Sequence, residues 1–179
     1  MGEARQSGHD FRKESLDMSC VAKRRWAQEM PVVKPGGEMA SVVVCPQCGT
    51  KNRVPVSAAG RPRCASCKKD LPWLVAADDA TFDAAVATDQ LVVVDLWAPW
   101  CNPCRQIAPV LERVSRDHAG KVKVVKVNVD ESPVQANRFQ ARSIPMLVQL
   151  DHGKIVDTMV GAHPAAAIQR WVTQGLERK

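Results

Sequence analysis

With 179 residues and seven cysteines, the chain is longer than one small domain and too long for a small secreted scaffold held together by disulfides. No apolar run approaches the roughly 20 residues that a membrane-spanning helix requires, and residues 1 to 40 contain no apolar segment behind a basic start that would indicate a signal peptide. The net charge of +6 is modest and spread along the chain, so charge alone does not indicate a nucleic-acid partner. We therefore expect a cytoplasmic protein without a membrane segment.

Residues 1 to 38 mix charges of both signs with Gly, Pro and Ser and show no sustained period of two or 3.6 residues. This composition predicts a disordered tail. Met39 is followed by Ala40-Ser41 and then by a strand-like run of valines, which is a natural beginning, so an upstream translation start would also explain the tail. Cys20 stands alone in this segment and is interpreted as an incidental thiol.

Residues 39 to 70 contain two CxxC motifs separated by 15 residues, a spacing found in zinc sites with four cysteine ligands. Each motif presents two sulfur atoms from one tight turn, and the segment between them has too few apolar residues to form a core without a metal. Surrounding basic residues would offset the charge of four thiolates. The alternative is a pair of disulfides or free thiols. We predict a small zinc ribbon with one structural Zn²⁺, ligated by Cys45, Cys48, Cys64 and Cys67.

Residues 71 to 179 alternate between strand-like and helix-like patterns. Strands are predicted at residues 72 to 76, 91 to 98, 122 to 129, 146 to 150 and 155 to 160, and helices at 102 to 118, at 134 to 139 and after Pro164. A further helix, which carries Phe82, is predicted to start at an Asp79 cap. A strand, a helix and a strand in succession indicate a parallel crossover, and the turn at Gly153 indicates a hairpin. We predict an α/β domain in which helices flank a central mixed sheet, with a core separate from that of the ribbon.

Cys101 and Cys104 provide the clearest indication of function. An apolar, β-branched strand delivers Cys101 to the point where a helical pattern begins, and the unpaired N–H groups of a helix N-terminus favour a thiolate. Cys104 lies one helical turn further on and close enough to form a disulfide. A reactive thiol beside a second thiol is suited to thiol–disulfide exchange, so we assign Cys101 as the nucleophile and Cys104 as the resolving cysteine. The alternative, a metal site, would need another CxxC motif nearby, and the two others already pair with each other.

Asp95 interrupts the same apolar strand two residues before Trp97. A carboxylate in such a place is costly unless it is paired or protonated, so we expect its pKa to be raised, which suits a proton acceptor for Cys104. Lys126 on the neighbouring strand is the expected charge partner. The alternative is a structural aspartate that points to solvent at the end of the strand.

Residues 92 to 112, VVVDLWAPWCNPCRQIAPVLE, resemble the active-site region of the thioredoxin family. Three further motifs fall where that family has its third strand, its cis-proline loop and its C-terminal glycine, and these are Lys126-Val127-Asn128-Val129-Asp130, Ser143-Ile144-Pro145 and Val160-Gly161-Ala162. The resemblance runs from about Leu71 to the C-terminus. Asn102-Pro103 stands where the family usually has Gly-Pro, which leaves the reaction class intact. A zinc ribbon ahead of such a domain is similar to the bacterial thioredoxin 2 type.

The resemblance implies the thioredoxin fold and a protein-disulfide reductase that an NADPH-dependent thioredoxin reductase recharges, with disulfide-bearing proteins as clients. It also implies that Asp95 accepts the proton of Cys104 and that an apolar rim around the disulfide receives client segments. The residues of this rim would be Trp100, Ile144, a cis-Pro145, Gly161 and Ala162. We expect a monomer with no bound organic cofactor, no membrane contact and no nucleic-acid partner. The ribbon thiolates are oxidisable, so we hypothesise that oxidants release the zinc.

Two other functions stay open at this point. An oxidase or isomerase would share the chemistry, although such families usually carry other residues between the cysteines and act in a secretory compartment. A redox potential of about −270 mV would indicate a reductase, and one of about −120 mV an oxidase. Alternatively, the ribbon is a nucleic-acid or protein-docking module, although it lacks the interleaved aromatic residues that stack on bases.

Overall fold

The structure is a computed structural model that describes residues 40 to 58 and 60 to 179. The predicted disordered tail and Cys20 lie outside the described residues. Within the described part of the chain, no helix combines the length and the apolar character needed to cross a bilayer.

The described residues form a two-stranded sheet followed by a five-stranded sheet with four helices. The strands are β1 (Ser41–Val44), β2 (Lys51–Val54), β3 (Trp73–Ala76), β4 (Leu91–Trp97), β5 (Val122–Asn128), β6 (Met146–Asp151) and β7 (Lys154–Val160). The helices are α1 (Phe82–Val86), α2 (Asn102–Asp117), α3 (Pro133–Arg138) and α4 (Ala165–Glu177). From β3 onward, every strand and helix whose bounds were predicted begins and ends within one residue of its predicted limits.

The larger sheet has the strand order β3-β5-β4-β6-β7. Strands β3, β5 and β4 run parallel to one another, whereas β6 and β7 are antiparallel to their neighbours. The sheet is therefore mixed, and helices pack against both faces. This confirms the predicted α/β fold with a central mixed sheet flanked by helices.

Strand β4 lies at the centre of the sheet because its residues are apolar on both faces. Val93 points to a cluster that includes Ile107 of α2 and Ile168 of α4, and Val94 points to a cluster that includes Phe82 of α1. A strand that is buried on both faces leaves its carboxyl end as the place where side chains reach the surface. Strand β4 therefore positions the residues that follow Trp97.

The expectation of a separate ribbon core was wrong. Val54 at the end of β2 and Val56 just after it, between the two CxxC motifs of the ribbon, are buried in the same apolar cluster as Trp73 of β3. The indole Nε1 of Trp73 donates a hydrogen bond to the carbonyl of Pro55 at 2.9 Å. Because β3 is an edge strand, its tryptophan has sheet on one side only, and the residues after β2 cover the other side. The described residues accordingly belong to one compact unit.

The predicted role of Asp79 was also wrong. Its carboxylate accepts hydrogen bonds from the backbone N–H groups of Val134 at 3.1 Å and Gln135 at 3.0 Å, so it caps α3 rather than α1. The turn before α1 is instead closed by Asp78, whose Oδ1 accepts from the N–H of Thr81 at 2.9 Å. Asp79 was expected to cap the helix that follows it in sequence, but in the folded protein it caps a helix that is distant in sequence.

Candidate active site and metal centre

Cys101 and Cys104 lie where β4 passes into α2, and their sulfur atoms form a disulfide. Cys101 is the N-cap residue of α2, and its Sγ accepts a hydrogen bond from the backbone N–H of Cys104 at 3.2 Å. The first N–H groups of a helix have no partner within the helix, so this position stabilises negative charge on the sulfur atom of Cys101. The geometry therefore favours a thiolate at Cys101 once the disulfide is reduced.

The rim around the disulfide combines buried and exposed residues. Ile144 packs against the cluster formed by Ala98 and the two cysteines. The Ile144–Pro145 peptide bond is cis, and the carbonyl of Pro145 accepts a hydrogen bond from the N–H of Gly161 at 2.8 Å. The structure thus brings the predicted proline loop, the isoleucine and the glycine to one edge of the disulfide.

Trp100 and Ala162 are the exposed members of the predicted rim. The Trp100 side chain is 67% exposed, and its Nε1 donates a hydrogen bond to Oδ2 of Asp130 at 2.9 Å. Gly161 has a φ of +93°, and no heavy atom lies within 4 Å of the position that a Cβ would occupy. The surface beside the proline loop is therefore open enough for another chain to approach.

Asp95 is only 1% exposed and lies on β4, opposite Lys126 of β5. Its Oδ2 is 4.0 Å from the Lys126 Nζ, and its Oδ1 has no hydrogen-bond partner within the part of the chain that the structure describes. Burial raises the pKa of Asp95 from 3.8 to about 6, and the charge of Lys126 opposes this shift only in part. A carboxyl group with this pKa can exchange a proton near neutral pH.

Two contacts near the disulfide were not predicted from the sequence. The guanidinium of Arg105 donates a hydrogen bond to the carbonyl of Pro99 at 2.5 Å, which ties the loop before Cys101 to the first turn of α2. The Lys126 Nζ lies 4.7 Å from the ring centroid of Trp97. An arginine in the first turn of a helix could have suggested the first contact, because a long side chain there can reach back to the preceding loop.

Comparison with known proteins agrees with this geometry. The family model described as Thioredoxin matches residues 73 to 174, which is more than half of the chain. The chain belongs to the thioredoxin family. Its relatives include thioredoxin from Bacillus subtilis, which is 42% identical over 58% of this chain and 98% of the relative. Thioredoxin from Haemophilus influenzae is 42% identical over 54% of this chain and 92% of its own.

A third relative, thioredoxin from Synechocystis, is 48% identical over 50% of this chain and 85% of its own. These thioredoxins match this chain over most of their own length, in the region that contains the disulfide. The chain is a thiol–disulfide oxidoreductase that acts on proteins. The family match begins at residue 73, so the two other CxxC motifs lie outside it.

Those motifs bring four cysteine sulfur atoms together ahead of the thioredoxin domain. The sulfur atoms of Cys45, Cys48, Cys64 and Cys67 all lie within 4.8 Å of one another. The Sγ atoms of Cys45 and Cys67 are 3.6 Å apart, as are those of Cys48 and Cys64. A disulfide requires about 2.05 Å, whereas Zn–S bonds of about 2.3 Å place the corners of a tetrahedron about 3.8 Å apart. The four residues therefore fit a tetrahedral metal ion and do not fit disulfides.

The two turns that hold these cysteines have the same backbone hydrogen bonds. The N–H of Gly49 donates to the carbonyl of Cys45 at 2.9 Å, and the N–H of Lys68 donates to the carbonyl of Cys64 at 3.0 Å. Gly49 and Lys68 both have a positive φ, of 74° and 63°. A positive φ is natural for glycine and costly for lysine. The repeated geometry shows that both turns serve one arrangement of sulfur atoms.

Asn52 supports the sulfur cluster, and no sequence motif pointed to it. It is a buried residue of β2, and its Nδ2 lies 3.6 Å from the Sγ of Cys64 as a hydrogen-bond donor. Its Oδ1 accepts from the N–H of Ala65 at 2.9 Å. One side chain therefore links the strand that follows the first turn to the second turn. Groups that hydrogen-bond to metal ligands orient those ligands and tune affinity.

The cysteines of the cluster differ in how readily they ionise. Hydrogen bonds with the side chain and the backbone of Thr50 lower the pKa of Cys48 to about 6. The pKa of Cys67 is raised to about 11, because desolvation and the neighbouring thiols of the cluster outweigh a hydrogen bond from the backbone of Lys69. Four thiolates at this separation repel one another, so a bound cation is what would keep all four deprotonated.

Proposed function

We propose that this thioredoxin-family protein is a protein-disulfide reductase that uses Cys101 as its nucleophile. The observation that carries the proposal is the position of Cys101 at the start of α2, where its Sγ accepts the N–H of Cys104. The strand that leads to Cys101 carries the buried Asp95, whose pKa is about 6. A stabilised thiolate, a second sulfur within bonding distance and a proton acceptor are the groups that disulfide reduction requires.

The reaction starts from the reduced enzyme. The Cys101 thiolate attacks one sulfur of a client disulfide, which forms a mixed disulfide and releases the other client sulfur as a thiolate that then takes up a proton. Asp95 accepts the proton of the Cys104 thiol, with Lys126 as the charge partner that holds the carboxylate in the ionised form. The Cys104 thiolate then attacks the Cys101 sulfur and expels the second client thiolate. The client gains two electrons, and the enzyme is left with the Cys101–Cys104 disulfide.

Client segments would bind to the rim formed by Trp100, Ile144, Pro145, Gly161 and Ala162. The exposed indole of Trp100 offers apolar area, and the proline loop lies against the cysteines through Ile144. Because the surface beside Gly161 is open, an extended client segment can approach and pair with the backbone next to Pro145, a form of strand addition. We propose that an NADPH-dependent thioredoxin reductase supplies the two electrons that restore the dithiol.

The ribbon would hold one structural Zn²⁺ through Cys45, Cys48, Cys64 and Cys67, as in the bacterial thioredoxin 2 type. Bound zinc would keep the four thiolates together and stabilise residues 39 to 70, which contain few apolar residues. The proposed boundaries are residues 1 to 38 for the tail, 39 to 70 for the ribbon and 71 to 179 for the thioredoxin domain. The protein is proposed to act in the cytoplasm as a monomer, without a bound organic cofactor.

Reduction of insulin disulfides tests the catalytic proposal. The full chain with NADPH and a thioredoxin reductase should reduce insulin, and Cys101→Ser should abolish this activity. The Cys101–Cys104 couple should have a potential of about −270 mV, whereas about −120 mV would identify an oxidase instead. An active enzyme that retains full activity as Cys101→Ser would contradict the assignment of the nucleophile.

We also propose that oxidants release the zinc, because four thiolates are oxidisable. Addition of peroxide to the zinc-loaded protein in the presence of a chromogenic chelator should release one zinc per chain. Retention of the metal at a peroxide concentration that oxidises the Cys101–Cys104 pair would show that the ribbon is not a sensor.

A further inference from the structure

Lys123 is a buried cation that the catalytic proposal does not use. It lies on β5, is 0% exposed and ranks among the largest fully buried side chains of the described residues. Burial lowers its pKa to about 8, and no neighbouring carboxylate contributes to the shift. A buried ammonium group requires other partners, because an ion without them is very costly in an apolar core.

The partners of Lys123 come from three separate parts of the fold. Its Nζ donates a hydrogen bond to the carbonyl of Val56, just after the ribbon strand β2, at 2.6 Å. It also donates to the carbonyl of Ala85. Ala85 lies in the last turn of α1, where carbonyl groups receive no hydrogen bond from within the helix. The Nζ lies 3.8 Å from the ring centroid of Trp73, the residue that pairs with Lys123 in the sheet.

Trp73 makes a second connection to the same ribbon segment. The Nε1 of Trp73 donates to Pro55, the residue before Val56. The segment between the two CxxC motifs thus supplies two adjacent carbonyl groups, one to the lysine and one to the tryptophan that covers the lysine. If residues 55 and 56 moved away, the ammonium group would lose one of its two carbonyl acceptors and the indole would lose its own.

We propose that Lys123 and Trp73 form a latch that makes the stability of β3, β5 and α1 depend on a folded ribbon. The ribbon is then a part of the thioredoxin core in this protein, and loss of the cysteine cluster is transmitted to the sheet through the Lys123 ammonium. This inference rests on the proposed metal site in one respect only: the experiment below unfolds the ribbon by removing two of the proposed metal ligands. The lysine is a positioning residue here and takes no part in the exchange of electrons.

A double-mutant comparison in the full chain tests the latch. The ribbon is disrupted by Cys64→Ser with Cys67→Ser, and amide hydrogen exchange is measured under reducing conditions with Lys, Met or Arg at position 123. With Lys123, ribbon disruption should lower the protection of β3 and β5 by about tenfold or more, as expected for loss of a hydrogen bond to a charged group. In the Lys123→Met background the same disruption should lower it by less than about threefold, because the latch is already absent. Lys123→Arg keeps the charge and should restore the coupling.

Lys121→Met is the matched control, because Lys121 is an exposed lysine at the start of the same strand region. In the Lys121→Met background, ribbon disruption should lower the protection of β3 and β5 by the same factor as in the chain that has Lys123 and Lys121. An equal loss of protection in the Lys123 and Met backgrounds would overturn the proposal. If Lys123→Met does not fold, hydrogen exchange in the chain with Lys123, compared with and without ribbon disruption, still tests the proposal. The latch requires that ribbon disruption affects β3, β5 and α1 more than β7 and α4, and a uniform loss would overturn it.

The same samples separate this inference from the proposed function. Zinc content reports the proposed metal site, and insulin reduction by the intact-ribbon protein reports the proposed catalysis. A chain that binds no zinc would refute the metal site, while the comparison between Lys123 and Met would still test the latch.

Discussion

Asp95 and Lys126 lie opposite each other on β4 and β5, with the carboxylate Oδ2 4.0 Å from the ammonium Nζ. The ion pair is too long to offset the loss of water around a carboxyl group that is 1% exposed. Burial therefore dominates, and the pKa of Asp95 is about 6 instead of 3.8. The carboxyl group accordingly titrates close to neutral pH, where an ordinary aspartate is fully ionised.

Replacement of Asp95 by Asn should stabilise the protein at pH 7. The folded-state pKa is raised above the unfolded value, so the folded state binds more protons between about pH 4 and pH 6, and stability falls as pH rises through this window. From the pKa shift, Asp95→Asn should be more stable than the original by about 3 kcal/mol at pH 7 and by almost nothing below about pH 4. Urea unfolding across pH 3 to 8 measures this. A less stable Asp95→Asn would show that the carboxylate makes a net favourable contact.

The same substitution should slow the second half of the reaction. Without a proton acceptor, the Cys104 thiol loses its proton more slowly, and resolution of the mixed disulfide should fall by about 100-fold, at the lower end of general-base effects. Stopped-flow measurement of mixed-disulfide decay at pH 7 provides the rate. Full activity in Asp95→Asn would reduce this residue to a structural role.

Lys126→Met should move the titration of Asp95 upward. The lysine charge lowers the pKa of the carboxyl group, so its removal should shift the pKa above about 6 and move the pH midpoint of client resolution in the alkaline direction. Lys121→Met, on an exposed lysine, should leave the midpoint in place. An unchanged or acid-shifted midpoint in Lys126→Met would show that the pair does not interact.

Cys104→Ser should trap covalent complexes with client proteins. Cys101 can still attack a client disulfide, but no second thiol is present to resolve the mixed disulfide. Non-reducing gels and mass spectrometry should find clients attached to Cys101. If Cys101→Ser traps clients with equal efficiency through Cys104, the two roles are reversed.

Asn52→Ala should weaken metal binding by about tenfold or more without removal of any ligand, because Asn52 orients Cys64 and the second turn. Competition with a chelator measures the affinity of the zinc-loaded chain. Gln47→Ala changes an exposed residue inside the first CxxC motif and should leave the affinity within the error of the measurement. Equal affinities of all three proteins would show that the cysteines alone position the metal.

From β3 onward, local periodicity was sufficient to predict most of the strands and helices, whereas β2 was not predicted. The two groups of cysteines were recognised from the spacing within the CxxC motifs. The buried run that became β4 and the amphipathic pattern of α2 predicted their bounds to within one residue. A CxxC motif places two sulfur atoms on one turn whatever the rest of the fold does, so the sulfur pairs were visible before the structure was known. Proline after Asn102 also marks the helix start, since it needs no N–H there.

Two other pairings between distant residues required the tertiary structure. Asp79 sits next to α1 in sequence, yet its carboxylate binds N–H groups that are 55 and 56 residues away. The ribbon was expected to have its own core, but the residues that follow β2 cover the tryptophan of an edge strand. A local window cannot detect either pairing, because burial depends on which distant surfaces meet.

Lys123 and Lys126 show this division most clearly. Both lie on β5 within the same run of valines, and only the partner of Lys126 was expected from the sequence. Being three residues apart on a strand, they face opposite sides of the sheet. Lys126 meets Asp95 on the side of α2, whereas Lys123 meets the ribbon carbonyl of Val56, 67 residues earlier in the chain. The sequence was enough to predict Asp95 as the partner of Lys126. Only the packing of ribbon, sheet and helices decided the partners of Lys123, because an ammonium group in a core must take the acceptors that the surrounding elements bring to it.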